Sequence, residues 1–265
     1  MKRTLKIILL KKKLYYPLKY SRIFYFYQFL FKPNEIKEQK QEVAFYKSFL
    51  TSCNLIFDIG ANDGHKTQAF LKISEKVVCC EPDKENFRLL QIRFRKNGKR
   101  VMLENKALSN KEGNAEFYIH HPGSAFNTLS PKWMKLLEDD DMQKWNEQIK
   151  FTQTQTTETT TLDKLIVKYG LPGFIKIDAE GSEQQILKGL SQRVSFLSFE
   201  ILLPDYEDEL QDCLNHINEL DHRATFNISR FEKLLLPNFI SKDELIKYIE
   251  NNSILSFDVI AKMSA

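Results

Sequence analysis

Three apolar runs in the chain each end on an acid. Leu55-Ile56-Phe57 leads into Asp58, Val77-Val78-Cys79-Cys80 into Glu81, and Phe174-Ile175-Lys176-Ile177 into Asp178. Asp58 opens the stretch Asp58-Ile59-Gly60-Ala61-Asn62-Asp63-Gly64, whose glycines permit a tight turn and a close backbone approach to a ligand. A dinucleotide fingerprint would read G-x-G-x-x-G and leave room for a pyrophosphate at a helix start. Here Asn62 replaces the second glycine of that fingerprint, and an acid precedes the first. Such an acid repels a pyrophosphate and attracts the ammonium group of an amino-acid moiety. The pattern therefore favours S-adenosylmethionine (SAM) over a nicotinamide dinucleotide. On this reading, filling the space at Gly60 abolishes cofactor binding and leaves the fold intact.

Glu81, followed by Pro82 and Asp83, stands where an acid can accept both hydroxyls of a ribose,. Asp178, with Glu180 and Gly181 in the turn beyond it, brings further carboxylates to the strand ends, and Glu200 closes another apolar run after Phe199. Each acid also has a purely structural reading, as a helix cap or a buried polar group. His120-His121 follows an alternating stretch, so at most one of the two can face a common site,.

The elements that must position these residues are legible from periodicity. From Asn54 onward, strand-like runs alternate with helical patterns, as in a parallel sheet wrapped by helices. Strands are expected at Leu55–Phe57, Val77–Cys80, Val101–Leu103, Phe174–Ile177 and Ser195–Phe199, with a closing pair at Ala224–Ile228 and Leu255–Ile260. Residues 111–157 read as an insertion. It begins with an extra strand at Ala115–Ile119 and ends in the Thr-rich stretch from Gln153, whose β-branched side chains favour extended chain.

Residues 1–45 read as an arm and 46–265 as the main domain. Residues 1–34 hold nine Lys or Arg and no acid in a chain of net charge +4, so the remainder is net acidic. That remainder lacks the clustered cations that nucleic acid requires. Nine aromatic rings between Tyr15 and Phe31 are interleaved with these cations, which suits either an anionic membrane interface or packing on a partner subunit. Apolar stretches in the arm are too short or too interrupted for a signal peptide or a membrane span. Four cysteines without metal-ligand spacing fit a reducing cytoplasm,.

Asp58 to Gly64, Glu81-Pro82, Asn105 with Ala107-Leu108, Thr160-Thr161-Leu162-Asp163 and Lys176-Ile177-Asp178-Ala179-Glu180-Gly181 together resemble an FkbM-type methyltransferase. The resemblance covers residues 54–200. It implies a class I fold, α/β and doubly wound, with a mostly parallel seven-stranded sheet, SAM as cofactor, and O-methylation of a sugar or other small hydroxylated molecule. Carried over residue by residue, it places Asp58, Gly60, Ala61, Asn62 and Gly64 along the methionine side of SAM, and Glu81 with Pro82 at the ribose. Asn105 and Ala107 fall beside the adenine, and Asp178 near the methyl donor. The general base for a hydroxyl acceptor is then expected among Asp178, Glu180 and Glu200, without a metal ion. Two other readings compete. One is a catalytically silent SAM-fold module that docks to a membrane or partner enzyme, and the other is an NAD-dependent oxidoreductase.

Overall fold

The computed structural model describes residues 14–21, 27, 31–50, 53–139 and 149–264. Residues 1–13, 22–26 and 28–30 of the arm and 140–148 of the insertion lie outside the described residues. Helices α1 (Tyr15–Lys19) and α2 (Pro33–Lys47) precede strand β1 (Cys53–Ile59), α3 (His65–Phe70), β2 (Ser74–Cys80), α4 (Lys84–Phe94) and β3 (Val101–Glu104). The insertion contributes β4 (Ala107–Leu108), β5 (Gly113–Ile119), α5 (Pro131–Glu138) and β6 (Gln153–Thr160). Then come α6 (Leu162–Tyr169), β7 (Phe174–Ile177), α7 (Glu183–Leu187), β8 (Phe196–Leu202), α8 (Glu207–Leu220), β9 (Thr225–Ser229), α9 (Lys242–Asn252) and β10 (Ser256–Lys262).

The main sheet runs β3-β2-β1-β7-β8-β10-β9. Its first five strands are parallel, and β10 is antiparallel to both β8 and β9. Strand period two sends alternate side chains to opposite faces. Leu55, Phe57 and Ile59 of β1, with Val78 and Cys80 of β2, enter the core beneath α6, α7 and α8. Ile56, Val77 and Cys79 enter a second core with Phe70, Leu90 and Phe94. Burial on both faces explains why these strands read as continuous apolar runs.

Helix α2 runs across residue 45, and its Tyr46 lies 3% exposed against Phe70 and Phe174, with ring centroids 4.8 and 5.8 Å away. This stretch thus closes the second core even though its composition continues the arm. The insertion folds into a separate three-stranded sheet, β4-β6-β5, with β5 antiparallel to the Thr-rich β6. Thr161 caps α6 by accepting the Lys164 N–H at 3.2 Å, and Asp163 accepts the Ser191 N–H at 2.9 Å. The Thr-Leu-Asp motif therefore fixes α6 in place.

Candidate active site

Strand β1 has β2 on one side and β7 on the other, so the chain order reverses beside it. Ligands of open α/β sheets bind at such a point, outside the carboxyl ends of the strands. A cavity of about 420 Å³ opens there, within the size range of small-molecule sites. Gly60, Ala61, Asn62, Glu81, Pro82, Ala107, Asp178 and Glu180 of the sequence-selected residues line it.

The loop after β1 turns by left-handed steps at Gly60, Asn62 and Gly64, with φ of 76°, 48° and 80°. Gly60 and Ala61 both donate to the Cys80 carbonyl, at 3.0 and 3.1 Å, which ties the loop to β2. At Gly60 an added Cβ would stand 1.8 Å from the Asp178 carbonyl oxygen. Gly60 is thus required by the approach of two backbones, and the expectation that filling it spares the fold is corrected.

Glu81 lies 5% exposed at the cavity wall. One carboxylate oxygen accepts the Asn62 N–H and the other the Asp83 N–H, each at 2.8 Å. Burial, aided by the Asp83 and Asp58 carboxylates, pushes its pKa up to about 8 against the pull of those two hydrogen bonds. Each oxygen keeps a second acceptor site, so the group can still receive two hydroxyls. Among the residues present, it is the best fit to a ribose.

Four selected residues lie outside the cavity lining. Asp58, 2% exposed, sits on the opposite face of β1 from Phe57 and Ile59 and accepts the Thr67 hydroxyl of α3. Burial raises its pKa to about 6. It joins β1 to α3 and does not itself line the cavity. Gly64 makes room for packing, because a Cβ there would come 2.5 Å from the Phe94 ring and 2.8 Å from Leu90. Asn105 donates to the carbonyls of Glu81 and Pro82, at 2.8 and 3.2 Å, and so holds the acid-bearing turn. Glu200 falls within β8, which continues to Leu202, and stands opposite Asp258 in the β8–β10 register.

Lys176 supplies what sequence reasoning missed. It is 2% exposed in the middle of β7, and its ammonium lies 3.4 Å from Asp178 Oδ2 and 2.9 Å from Asp258 Oδ1. These carboxylates hold it well above the ordinary lysine pKa despite burial. The signal was a lysine inside a run otherwise wholly apolar. Asp178, the residue after β7, therefore faces the cavity with a buried cation behind it.

Glu180 adopts a left-handed backbone, φ 52°. Burial and the carboxylates of Asp178, Glu200 and Glu183 push its pKa well up. The start of α7 has no side-chain cap; Glu183, its first residue, instead braces the turn after β7 by accepting the Ala179 N–H at 2.8 Å, and its own pKa is raised by burial to about 7.

The insertion roofs the cavity, a role its lack of periodicity concealed. Phe117, Ser124, Asn127 and Leu129 line it. Asp83 anchors this roof by accepting the Gly123 N–H at 3.1 Å and the Asn127 side-chain amide at 2.9 Å. On the far side the Thr128 hydroxyl donates to the Glu180 carbonyl at 2.7 Å. His120 and His121 follow the end of β5, their rings 4.7 Å apart, and neither lines the cavity. Strand alternation does not apply to them because β5 has already ended.

The sheet order, with its antiparallel β10 inserted beside β8, and the cavity at the switch point define a class I methyltransferase fold. Solved structures align over most of their length with this chain at low identity. One is a precorrin-6y C5,15-methyltransferase from Geobacter metallireducens, at 10% identity over 85% of this chain and 87% of that one, TM-score 0.44. Another is an rRNA methylase from Streptococcus thermophilus, at 12% over 84% and 94%, TM-score 0.39. The plantazolicin methyltransferase BpumL in complex with SAH aligns at 11% over 98% and 99%, TM-score 0.39. No curated protein matches the chain significantly.

The sequence model of the methyltransferase FkbM domain matches residues 58–232, about two thirds of the chain. The chain belongs to the FkbM methyltransferase family, and SAM is its cofactor.

Proposed function

We propose that this methyltransferase acts on a hydroxyl oxygen of a small molecule or sugar, with Asp178 as the general base. When bound, SAM supplies an electrophilic methyl group on a sulfonium. The observation that carries the reading is Asp178, a carboxylate on the cavity wall beside Gly60, backed by the buried Lys176 ammonium at 3.4 Å. An aliphatic hydroxyl attacks poorly until its proton is shared, and a positioned carboxylate contributes about 10²–10⁴-fold to such a step.

The other groups divide the remaining work. Glu81 offers acceptor sites to the ribose, while Leu108 and Phe117 provide apolar wall for the base. Glu180, whose proton is held more tightly than an ordinary glutamate's by burial and the neighbouring carboxylates, is suited to donate a hydrogen bond to the acceptor while Asp178 takes the proton. Ser124, Asn127 and Ser182 add polar contacts for a hydroxylated substrate.

The test is S-adenosylhomocysteine release with a panel of hydroxylated acceptors, with the labelled methyl located by mass spectrometry. For an acceptor that turns over, Asp178→Asn should lower kcat by about 10²–10⁴ and leave the affinity for S-adenosylhomocysteine within a few-fold. Undiminished turnover in that variant, or label found on carbon or nitrogen, would overturn the proposal.

A further inference from the structure

The charged and apolar features of the amino-terminal segment remain unused by the chemistry. Nine cations and no acid fall within residues 1–34. Among the described residues, eight large apolar side chains are substantially exposed, and half of them, Leu14, Leu18, Tyr27 and Phe31, belong to this segment. Phe31 is 68% and Leu14 51% exposed, and no residue of α1 is buried.

The segment is nonetheless seated on the domain. The Arg93 guanidinium lies over the Tyr20 ring, 5.0 Å from its centroid, and Lys19 lies 3.8 Å from Asp63. Tyr20 thus holds α1 to α4. Lys19, Lys32, Lys72 and Arg100 line a cavity of about 560 Å³ at this junction. Of its two acids, Asp63 is already paired with Arg93 at 3.1 Å.

We infer that this end of the molecule is a docking surface for an anionic lipid bilayer. Cations in excess attract the negative headgroup layer, and exposed rings and aliphatic side chains beside them enter the headgroup–acyl boundary. Nucleic acid offers the same charge, but it rewards stacking rings and gives exposed Leu14 and Leu18 nothing to cover them. Opposite charge together with exposed apolar surface selects the membrane. Docking holds the methyltransferase domain at a bilayer through one end; no helix among the described residues is long and apolar enough to cross one.

The experiment is flotation of the full-length protein with phosphatidylcholine–phosphatidylserine vesicles and with phosphatidylcholine vesicles. Binding should require phosphatidylserine and fall steeply as salt rises through physiological strength, where the Debye length is about 8 Å. Lys11→Glu/Lys12→Glu/Lys13→Glu should reduce the partition coefficient by at least about a hundredfold. Leu14→Ser/Phe31→Ser should reduce the salt-resistant remainder by about tenfold. S-adenosylhomocysteine affinity should be unchanged in both variants, which shows that each is folded. The inference fails if the protein floats with neither vesicle, or equally with both. It also fails if the triple reversal leaves flotation intact. Titrations with inorganic phosphate and with single-stranded RNA complete the test, because binding to either one without vesicle binding would overturn it.

Discussion

Glu81 makes cofactor affinity a function of pH, in a direction the geometry specifies. In the cofactor-free protein its pKa is about 8, so at neutral pH only about a tenth of the molecules carry the carboxylate,. Two ribose hydroxyls can donate together only to that ionised form, because each oxygen already accepts a backbone N–H and a proton on the carboxyl takes one of the two acceptor sites that remain,. Apparent affinity scales with the competent fraction. The dissociation constant should therefore be flat above about pH 8 and weaken about tenfold for each unit below it, with release of nearly one proton on binding at neutral pH.

Stability of the cofactor-free protein moves the opposite way. An acid raised from its ordinary 4.5 to about 8 binds more protons folded than unfolded within that window. Its stabilising contribution is complete below about pH 4.5 and is lost as pH rises towards 8,. The full change is roughly 5 kcal/mol at 1.36 kcal/mol per unit. Calorimetric titration with S-adenosylhomocysteine in two buffers of different ionisation enthalpy measures both the affinity and the proton count. Glu81→Gln should bind about 10–100-fold more weakly at high pH, where an ionised acceptor is lost, and should show a flatter profile. A wild-type affinity that is constant between about pH 6 and pH 8, or a Gln variant that keeps the slope, would refute the reasoning.

Two further outcomes follow from backbone geometry. Gly60→Ala places a Cβ against the Asp178 carbonyl at a φ of 76°, and should cost about 3 kcal/mol or more, read as a large fall in Tm; a Tm within a few degrees of wild type would refute the close approach. Arg230 and Lys233 exchange backbone hydrogen bonds of 3.0 and 3.2 Å around Phe231 and Glu232, both left-handed at φ 52° and 53°. That is a type I′ turn, which favours Asn-Gly. Phe231→Asn should raise stability by up to about 1 kcal/mol, since the ring is 79% exposed and gives up little burial; a lower Tm would show that the ring has a packing role.

The central strands β1, β2 and β7 were legible in the sequence because their apolar stretches are buried on both faces and therefore read as runs. Glu81 and Asp178 were legible for a related reason, since an acid at the end of such a run lies where the sheet ceases to bury side chains. Only the tertiary structure separated the remaining acids. Asp58 precedes its strand's last residue, and alternation turned it towards Thr67, away from the cavity. Glu200 lies inside a strand that continues to Leu202. Lys176 gained its place behind Asp178 from Asp258, a residue 82 positions away, and no local pattern encodes that distance. The roof from Phe117 to Leu129 was invisible for the same reason. It is held by Asp83 and the Glu180 carbonyl, contacts made by single polar groups from distant segments, and such contacts leave no period in the sequence.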